Sequence, residues 1–273
     1  MFADDIALYK EVISPYDQDM LQADLSQVFE WSSKWQLNLN PSKCESICIS
    51  YKRSPPPATY RLNNHVLSTK SVVRYLGIFI NSHLKWSDHV KHITAKATRS
   101  LNVLWHSLYT CPSSVKSAVY KCVVRPILEY ASPVWYLHSA GDIKQLESVQ
   151  RRAARWVCGS RWNPVHKHWS KSSDHCINQL QWPSLHQRQN YFTICQVHNI
   201  LNHQSAIPSS QYFSTVNRHP SNPSALDISI STISPYRYSF FINSPFLWNN
   251  IPAKILQITN MKLFHVALKR FLF

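Results

Sequence analysis

Apolar side chains recur every three or four positions along much of this chain, which is the spacing of amphipathic helices. Residues 18–37 show the pattern behind the capping candidates Asp17 and Asp19, and they predict a first helix. Three more apolar stripes predict further helices. They lie within residues 90–108, 115–130 and 143–156, with a kink near Pro126 in the second.

Nearer the N-terminus, alternating polar and apolar residues predict strands. Residues 1–9 are apolar on both sides of an acidic pair, so we expect a strand, a tight turn with Asp4 and Asp5 at its tip, and a second strand. Residues 60–67 indicate a hairpin that turns on two asparagines, which tolerate positive φ. Single strands are predicted over residues 44–51 and 72–80.

The pattern changes near residue 82, from strands mixed with a helix to helices alone. Beyond Gly159 the chain is rich in Ser, Asn, Gln, His and Pro, and four prolines within 202–235 indicate irregular structure there. Short apolar runs remain at 191–200 and 262–273. We therefore expect an α+β protein with three regions. These are a mixed region 1–82, a helical region 83–160 and a basic, partly irregular region 161–273.

Composition excludes several classes of protein. Only three glycines occur, and none are close enough to build a phosphate-binding loop of a dinucleotide-binding enzyme or a P-loop NTPase. No apolar run reaches the roughly 18–20 residues of a membrane span, and the aspartates near the N-terminus are unlike a signal peptide. Seven scattered cysteines indicate reduced thiols. We expect an intracellular protein, nuclear or cytoplasmic, that is not secreted and has no membrane partner.

The charge is distributed unevenly along the chain. Residues 1–50 contain three Lys/Arg and eight Asp/Glu, whereas residues 51–125 contain twelve against one and residues 151–273 thirteen against two. An acidic start followed by a basic body is typical of a carboxylate metal site beside a polyanion track. The many histidines and tryptophans among the basic residues favour nucleic acid as the partner over general solubility.

The acidic pair Asp4 and Asp5 follows an aromatic and a small residue. Two carboxylates on a hairpin tip can hold the divalent ions of two-metal phosphoryl transfer, which sit about 3.5–4 Å apart. The alternative is that an Asp-Asp dipeptide near a terminus is a solvated turn.

The surrounding sequence resembles reverse transcriptases of non-LTR (LINE-type) retrotransposons, beginning at their aromatic-x-Asp-Asp signature. The motifs that carry this resemblance follow in the family's order. They are Phe2-Ala3-Asp4-Asp5, Trp35 to Lys43, Tyr75-Leu76-Gly77-Ile78, Leu146 to Arg155, Tyr236 to Phe241 and Trp248 to Pro252. The resemblance implies RNA-directed DNA polymerase activity with Mg²⁺ held by Asp4 and Asp5, an RNA template and a DNA primer. Its fold would be a truncated polymerase palm of antiparallel strands plus a helix, an all-helical thumb and an irregular C-terminal region.

The same resemblance implies roles for further residues. Lys43 would protonate the departing pyrophosphate, although a lysine after a turn is equally a solvated surface charge. Tyr75, Leu76 and Gly77 would grip the primer end, where a glycine permits close backbone approach; the alternative is a bulge in a strand.

Arg151, Arg152 and Arg155 lie on the side of their predicted helix away from its apolar stripe, and no acid occurs from position 149 to 173. They favour a phosphate-binding cluster over a solvated face. Nearby cysteines and histidines can ligate metals, but their spacing matches no zinc module, and a polar loop is the simpler interpretation. They are Cys158, His166, His168, His175 and Cys176.

Polymerase chemistry also needs a third carboxylate and the fingers, which in the family precede the Asp-Asp hairpin and have no counterpart here. The resemblance therefore predicts a fragment that is inactive alone. Its expected partner is the missing N-terminal segment of the full-length protein, which contains the fingers and the first part of the palm. Two alternatives are a non-catalytic nucleic-acid-binding remnant and a genomic relic that is never expressed.

Overall fold

The computed structural model describes residues 5–52, 58–163, 168–215, 224–228 and 234–273. Within these ranges the chain is mostly helical with a few short two-stranded sheets, which agrees in kind with the α+β expectation. The chain divides into two compact units, residues 1–89 and 90–273. In the described ranges no helix is both long and apolar enough to cross a membrane.

In the first unit, the helix predicted over 18–37 is confirmed as α1 (Pro15–Lys34). It begins three residues earlier than predicted because Ser14 is the N-cap and proline takes the first helical position, and it ends three residues earlier, with Trp35 as the C-cap. The carboxylate of Asp17 accepts the backbone N–H of Ser14 at 2.8 Å and that of Ile13 at 3.0 Å. These hydrogen bonds hold the pKa of Asp17 below its ordinary value.

The strands of the first unit are short and pair two by two. They are β1 (Glu45–Ser46), β2 (Arg61–Leu62), β3 (His65–Val66), β4 (Ser68–Thr69), β5 (Val72–Tyr75) and β6 (Ile78–Asn81). The antiparallel hairpin β2–β3 turns at Asn63, whose φ is 53°, as predicted. The strand predicted over 44–51 shrinks to β1, which pairs with β4 in parallel. The expectation of purely antiparallel strands is therefore wrong.

The strand predicted over 72–80 is also wrong, because β5 and β6 form an antiparallel hairpin in which Tyr75 pairs with Ile78. Leu76 and Gly77 make its two-residue turn, with φ of 46° and 83°. Positive φ at both central positions gives a turn that matches the twist of the two strands. The glycine that the sequence suggested as a bulge is the second residue of this turn.

The second unit contains most of the helical structure. Its described helices are α2 (Ser87–Ser107, whose first turn lies in the first unit), α3 (Ser113–Val119), α4 (Arg125–Glu129), α5 (Ala140–Val157), α6 (Ser173–Leu180), α7 (Leu185–Leu201), α8 (Ser209–Tyr212), α9 (Ser234–Arg237), α10 (Phe240–Asn249), α11 (Ala253–Leu256) and α12 (Met261–Leu272). The predicted kink is confirmed, since a π-helical segment, Tyr120–Val124, separates α3 from α4 just before Pro126. Proline lacks the N–H that a regular helix needs at this point.

The predicted apolar runs at 191–200 and 262–273 lie in α7 and α12, which pack with α10 around a hydrophobic core. This core contains Trp248, Phe264 and Leu268, each at most 2% exposed. Residues 234–273 are mostly helical, whereas part of the stretch 202–235, for which irregular structure is expected, lies outside the described residues. A cluster of this size supplies the apolar burial that orders the surrounding helices.

His198 is fully buried in this core, with its ring stacked on Phe264 at a centroid distance of 3.9 Å. Its Nε2 lies 2.7 Å from the carbonyl oxygen of Ile258, which can only accept, so Nε2 carries the proton. Nδ1 is buried without a hydrogen-bond partner. Burial lowers the pKa of His198, because a charged imidazolium would lack an acceptor at Nδ1.

Candidate nucleic-acid interface

The polymerase motif at the N-terminus lies only partly within the described residues. Asp4 lies outside them, and Asp5 is exposed. Residues 6–12 contain neither helix nor strand, so the predicted second strand of the aspartate hairpin is not formed there. In the described ranges, no group of three His, Cys, Asp or Glu side chains can hold a metal ion. The described residues therefore do not by themselves fit the expected Mg²⁺ site.

The other residues singled out by the resemblance lie in two further elements of the first unit. Lys43 is exposed at the end of a 3₁₀ turn, Pro41–Lys43, which is capped by the side chain of Asn40. That side chain accepts the backbone N–H of Ser42 at 3.1 Å. The three predicted primer-grip residues are half-buried: Tyr75 is the last residue of β5, whereas Leu76 and Gly77 form the β5–β6 turn.

The cysteines and histidines suggested as metal ligands do not form a described metal site. His166 lies outside the described residues. The Cys158 thiol donates to the carbonyl oxygen of Cys176 at 3.8 Å. Burial and the neighbouring Cys176 thiol raise the pKa of Cys158 to about 11, so the free thiol is protonated at neutral pH.

The three arginines predicted to bind phosphate lie on α5 in different surroundings. Arg152 is exposed, whereas Arg151 faces Asp174 with Nε 3.9 Å from the carboxylate. The guanidinium of Arg155 lies over the indole of Trp169, 4.7 Å from the ring centroid. Partial burial lowers the pKa of Arg155 without removing its charge at neutral pH. Of these three arginines, only Arg152 thus presents a charge that neither an acid nor an indole covers.

Sequence reasoning missed a basic face on α2. Lys91, Lys96 and Arg99 are exposed on the side of this helix opposite the buried Val90, Ile93 and Ala97. His92 and His106 lie on the same exposed side. The signal was available, because the apolar stripe that predicted the helix leaves these positions on its complementary face.

The two units differ in net charge. The first unit contains nine Lys/Arg and nine Asp/Glu, whereas the second contains twenty against five. The net charge of +15 therefore resides in residues 90–273. A unit with this excess attracts polyanions over distances comparable to the Debye length of about 8–10 Å.

Two of the five acidic residues in the second unit lie largely buried in its interior. Arg188 donates to both carboxylate oxygens of Glu129, with Nη2 2.9 Å from Oε2, and Arg125 lies 3.7 Å from the same carboxylate. This group is largely buried, with 12% of the Glu129 side chain exposed. The cluster holds α4 against α7 and leaves little negative charge of Glu129 at the surface.

Glu147 is the second internal acid. Its carboxylate accepts the backbone N–H of His186 at 3.1 Å and that of Leu185, and so caps the first turn of α7. It lies in an open groove of about 400 Å³, which Arg151 and Asp174 also line. Burial raises the pKa of Glu147, and the two hydrogen bonds oppose that rise.

Comparisons with known proteins point to polymerases of mobile elements. The chain is 27% identical over 165 residues to the probable RNA-directed DNA polymerase from transposon X-element of Drosophila melanogaster, covering 59% of the chain and 18% of that protein. It is 30% identical over 161 residues to the probable RNA-directed DNA polymerase from transposon BS of the same species, covering 57% of the chain. With the RNA-directed DNA polymerase from mobile element jockey of Drosophila funebris it shares 28% identity over 166 residues.

The chain is therefore distantly homologous to RNA-directed DNA polymerases of non-LTR retrotransposons. The matched segment spans 18% of the length of each of these three relatives. No family model and no solved structure matches the chain.

Proposed function

We propose that this chain is part of the RNA-directed DNA polymerase of a non-LTR retrotransposon and that residues 90–273 hold nucleic acid through its phosphates. The observation that carries the proposal is the confinement of the net charge of +15 to this unit, together with the exposed basic face of α2. The distant homology supports an RNA template and a DNA primer as the nucleic acids.

In this proposal residues 1–82 correspond to the end of the polymerase palm, 83–160 to a thumb and 161–273 to a basic C-terminal region. Asp4 and Asp5 are the proposed Mg²⁺ ligands of the complete polymerase, Lys43 the proposed acid and residues 75–77 the proposed primer grip. The succession of α2 to α5 within 83–160 supports a helical thumb.

The binding part of the proposal is tested by salt dependence. We expect the chain to bind a short dye-labelled DNA duplex with an affinity that falls steeply with salt, as measured by fluorescence anisotropy. The variant Lys91→Gln/Lys96→Gln/Arg99→Gln should lower the magnitude of the log affinity versus log salt slope by about 0.9 for each phosphate that the variant no longer neutralises.

The matched control is Lys10→Gln/Lys34→Gln/Lys52→Gln, which removes three exposed charges from the first unit. Its slope should equal that of the parent chain. Equal reductions of the slope in both triple variants, or no binding by the parent at low salt, would contradict the proposal. The variant Arg151→Gln/Arg152→Gln/Arg155→Gln then measures how much the arginines of α5 add.

The catalytic part is tested by primer extension with the 273-residue chain in Mg²⁺ or Mn²⁺. We expect no extension, because Asp5 is exposed and residues 6–12 after it contain no helix or strand that would fix its carboxylate within the roughly 0.5 Å of a preorganised site. Extension by the parent that disappears in Asp4→Ala/Asp5→Ala would show that this expectation is wrong. Binding without extension is also the outcome expected of a non-catalytic remnant.

A further inference from the structure

We infer that the hairpin formed by β7 (Trp162–Asn163) and β8 (His168–Trp169) is a stacking site for unpaired bases of single-stranded nucleic acid. The inference rests on the proposed function and names the form of nucleic acid that this part of the second unit takes. Trp162 is the stacking surface, and neighbouring cations bind the flanking phosphates.

The position of this hairpin is fixed by the way in which α5 ends. Gly159 has a φ of 64° and directs its N–H to the carbonyl oxygen of Trp156, while the N–H of Ser160 donates to that of Arg155 at 2.9 Å. This pair of hydrogen bonds is a Schellman motif, which needs a left-handed residue where glycine stands. The chain therefore turns sharply and places the hairpin next to the last turn of α5.

Hydrogen bonds at the base of the hairpin hold its strands together. The N–H of Arg161 donates to Ser170 Oγ at 2.9 Å, and the N–H of Ser170 donates back to the carbonyl oxygen of Arg161 at 2.8 Å. Ser160 Oγ also accepts the N–H of Lys171 at 3.0 Å. An aromatic ring on this support is presented without the entropy loss of ordering a mobile loop.

The two tryptophans form a cross-strand pair. Trp162 lies opposite Trp169, and their rings are 5.4 Å apart at 60°. Arg155 covers Trp169, whereas Trp162 is 49% exposed. A half-exposed indole on a rigid support offers a π-face to any base, and base stacking on aromatic side chains is largely independent of sequence.

The charge around Trp162 is positive. Arg161, next to Trp162 in sequence, and Arg152 on α5 are exposed, and the chain contains no Asp or Glu from position 149 to 173. Cations beside an aromatic surface follow the backbone of a single strand. Paired bases are already stacked within a duplex, so a single half-exposed indole discriminates in favour of unpaired bases.

The inference is tested by comparing single-stranded and duplex affinities of the full chain. The probes are dye-labelled oligodeoxythymidine and a mixed-sequence duplex. Trp162→Leu should weaken binding of the single strand by about five- to hundredfold and leave duplex affinity unchanged. Trp162→Phe retains a π-face and should lie between the parent and the leucine variant. Trp31→Leu, at a tryptophan of the first unit that is 39% exposed, is the control and should bind like the parent.

A second measurement needs no substitution. Ultraviolet cross-linking of the parent to an oligodeoxynucleotide containing bromouracil, mapped by mass spectrometry, should place a cross-link at Trp162. Cross-links found only elsewhere, or a Trp162→Leu variant that loses single-strand and duplex affinity equally, would overturn the inference. If the parent binds duplex but not single strand, only this inference fails. If it binds neither, the proposed function fails as well.

Discussion

The two units of this protein differ in the size of their hydrophobic core, and the proposed catalytic residues lie in the unit with the smaller core. Three apolar side chains are buried among the described residues of the first unit, namely Leu62, Leu67 and Ile78, whereas thirty-three are buried among those of the second. The first unit also exposes large aromatic side chains such as Tyr9 and Trp35, at 94% and 64%. The residues that resemble catalytic motifs thus lie where little packing holds them. The residues that bear the charge lie on a well-packed helical unit.

The largest expected effect is on the free energy of unfolding, when one aromatic side chain is truncated in each unit. Phe264→Ala should lower the free energy of unfolding by about 3–5 kcal/mol, because Phe264 is fully buried against His198 and Trp248. Trp35→Ala should change it by no more than about 0.5 kcal/mol, since that ring is mainly in solvent. Urea denaturation followed by circular dichroism measures both values. Comparable losses in the two variants would show that the hydrophobic core of the first unit contributes as much to stability as that of the second.

The second unit also contains the buried ion cluster of Glu129, Arg125 and Arg188, which stabilises its helices. Glu129→Gln leaves Arg188 and Arg125 without a negative partner, and we expect a loss of about 3 kcal/mol in unfolding free energy. The matched control is Asp174→Asn, which removes the exposed partner of Arg151 and should cost less than about 1 kcal/mol. Similar losses in the two variants would mean that the cluster is not shielded from solvent.

Acid should weaken the second unit through His198. Its pKa in the folded chain is lowered by burial from the ordinary value of 6.5, so it stays neutral there while the unfolded chain takes up a proton as the pH falls below 6.5. Unfolding free energy should therefore fall with decreasing pH, by at most about 1.4 kcal/mol per pH unit for this group. His265 is shifted in the same direction, by burial and by Lys269 and His198.

His198→Gln isolates that contribution. A glutamine can still donate to the carbonyl oxygen of Ile258 but does not titrate, so its unfolding free energy should change less between neutral pH and about pH 5. The measurement is urea denaturation at several pH values. A variant whose pH dependence matches that of the parent would assign the acid sensitivity to other groups.

The smallest expected effect concerns the first unit. Leu76 occupies a left-handed position that asparagine adopts more readily, and Asn-Gly is the preferred pair for such a turn. Leu76→Asn should stabilise the β5–β6 hairpin by up to about 1 kcal/mol, and Gly77→Ala should destabilise it. Hydrogen exchange of the β5 and β6 amides reports both changes. Slower exchange in the alanine variant would contradict the assigned turn.

The helices were predictable because their periodicity is local, and α1, α2 and α5 follow from apolar spacing alone. The β5–β6 turn escaped prediction because a leucine rarely adopts a φ of 46°, and Leu76-Gly77 carries no Asn-Gly signal. The parallel pairing of β1 with β4 joins residues far apart in sequence, so no local pattern encodes it.

The sequence predicts the positive charge of the candidate nucleic-acid interface, but not which of its charged side chains remain exposed. The arginines of α5 were recognised as basic, yet the indole over which Arg155 lies and the acid beside Arg151 come from other elements. Asp174 follows directly after the acid-free stretch that suggested an uninterrupted cationic surface. Which charges stay exposed depends on such non-local partners, as does the burial of Glu129 against Arg188, which lies 59 residues further along the chain.

The carboxylate of Glu147 occupies a position at the first turn of α7 where a phosphate group could otherwise bind. Helix N-termini attract phosphate through their free N–H groups, and the first turn of α7 opens into a groove that also contains Arg151. Because Glu147 already accepts the N–H groups of Leu185 and His186, the chain carries its own substitute for a phosphate at this point. With these N–H groups already occupied, the first turn of α7 has less to offer an incoming phosphate. In the proposed complex, a nucleic-acid strand would therefore bind at the outer face of α2 and at the β7–β8 hairpin rather than in this groove.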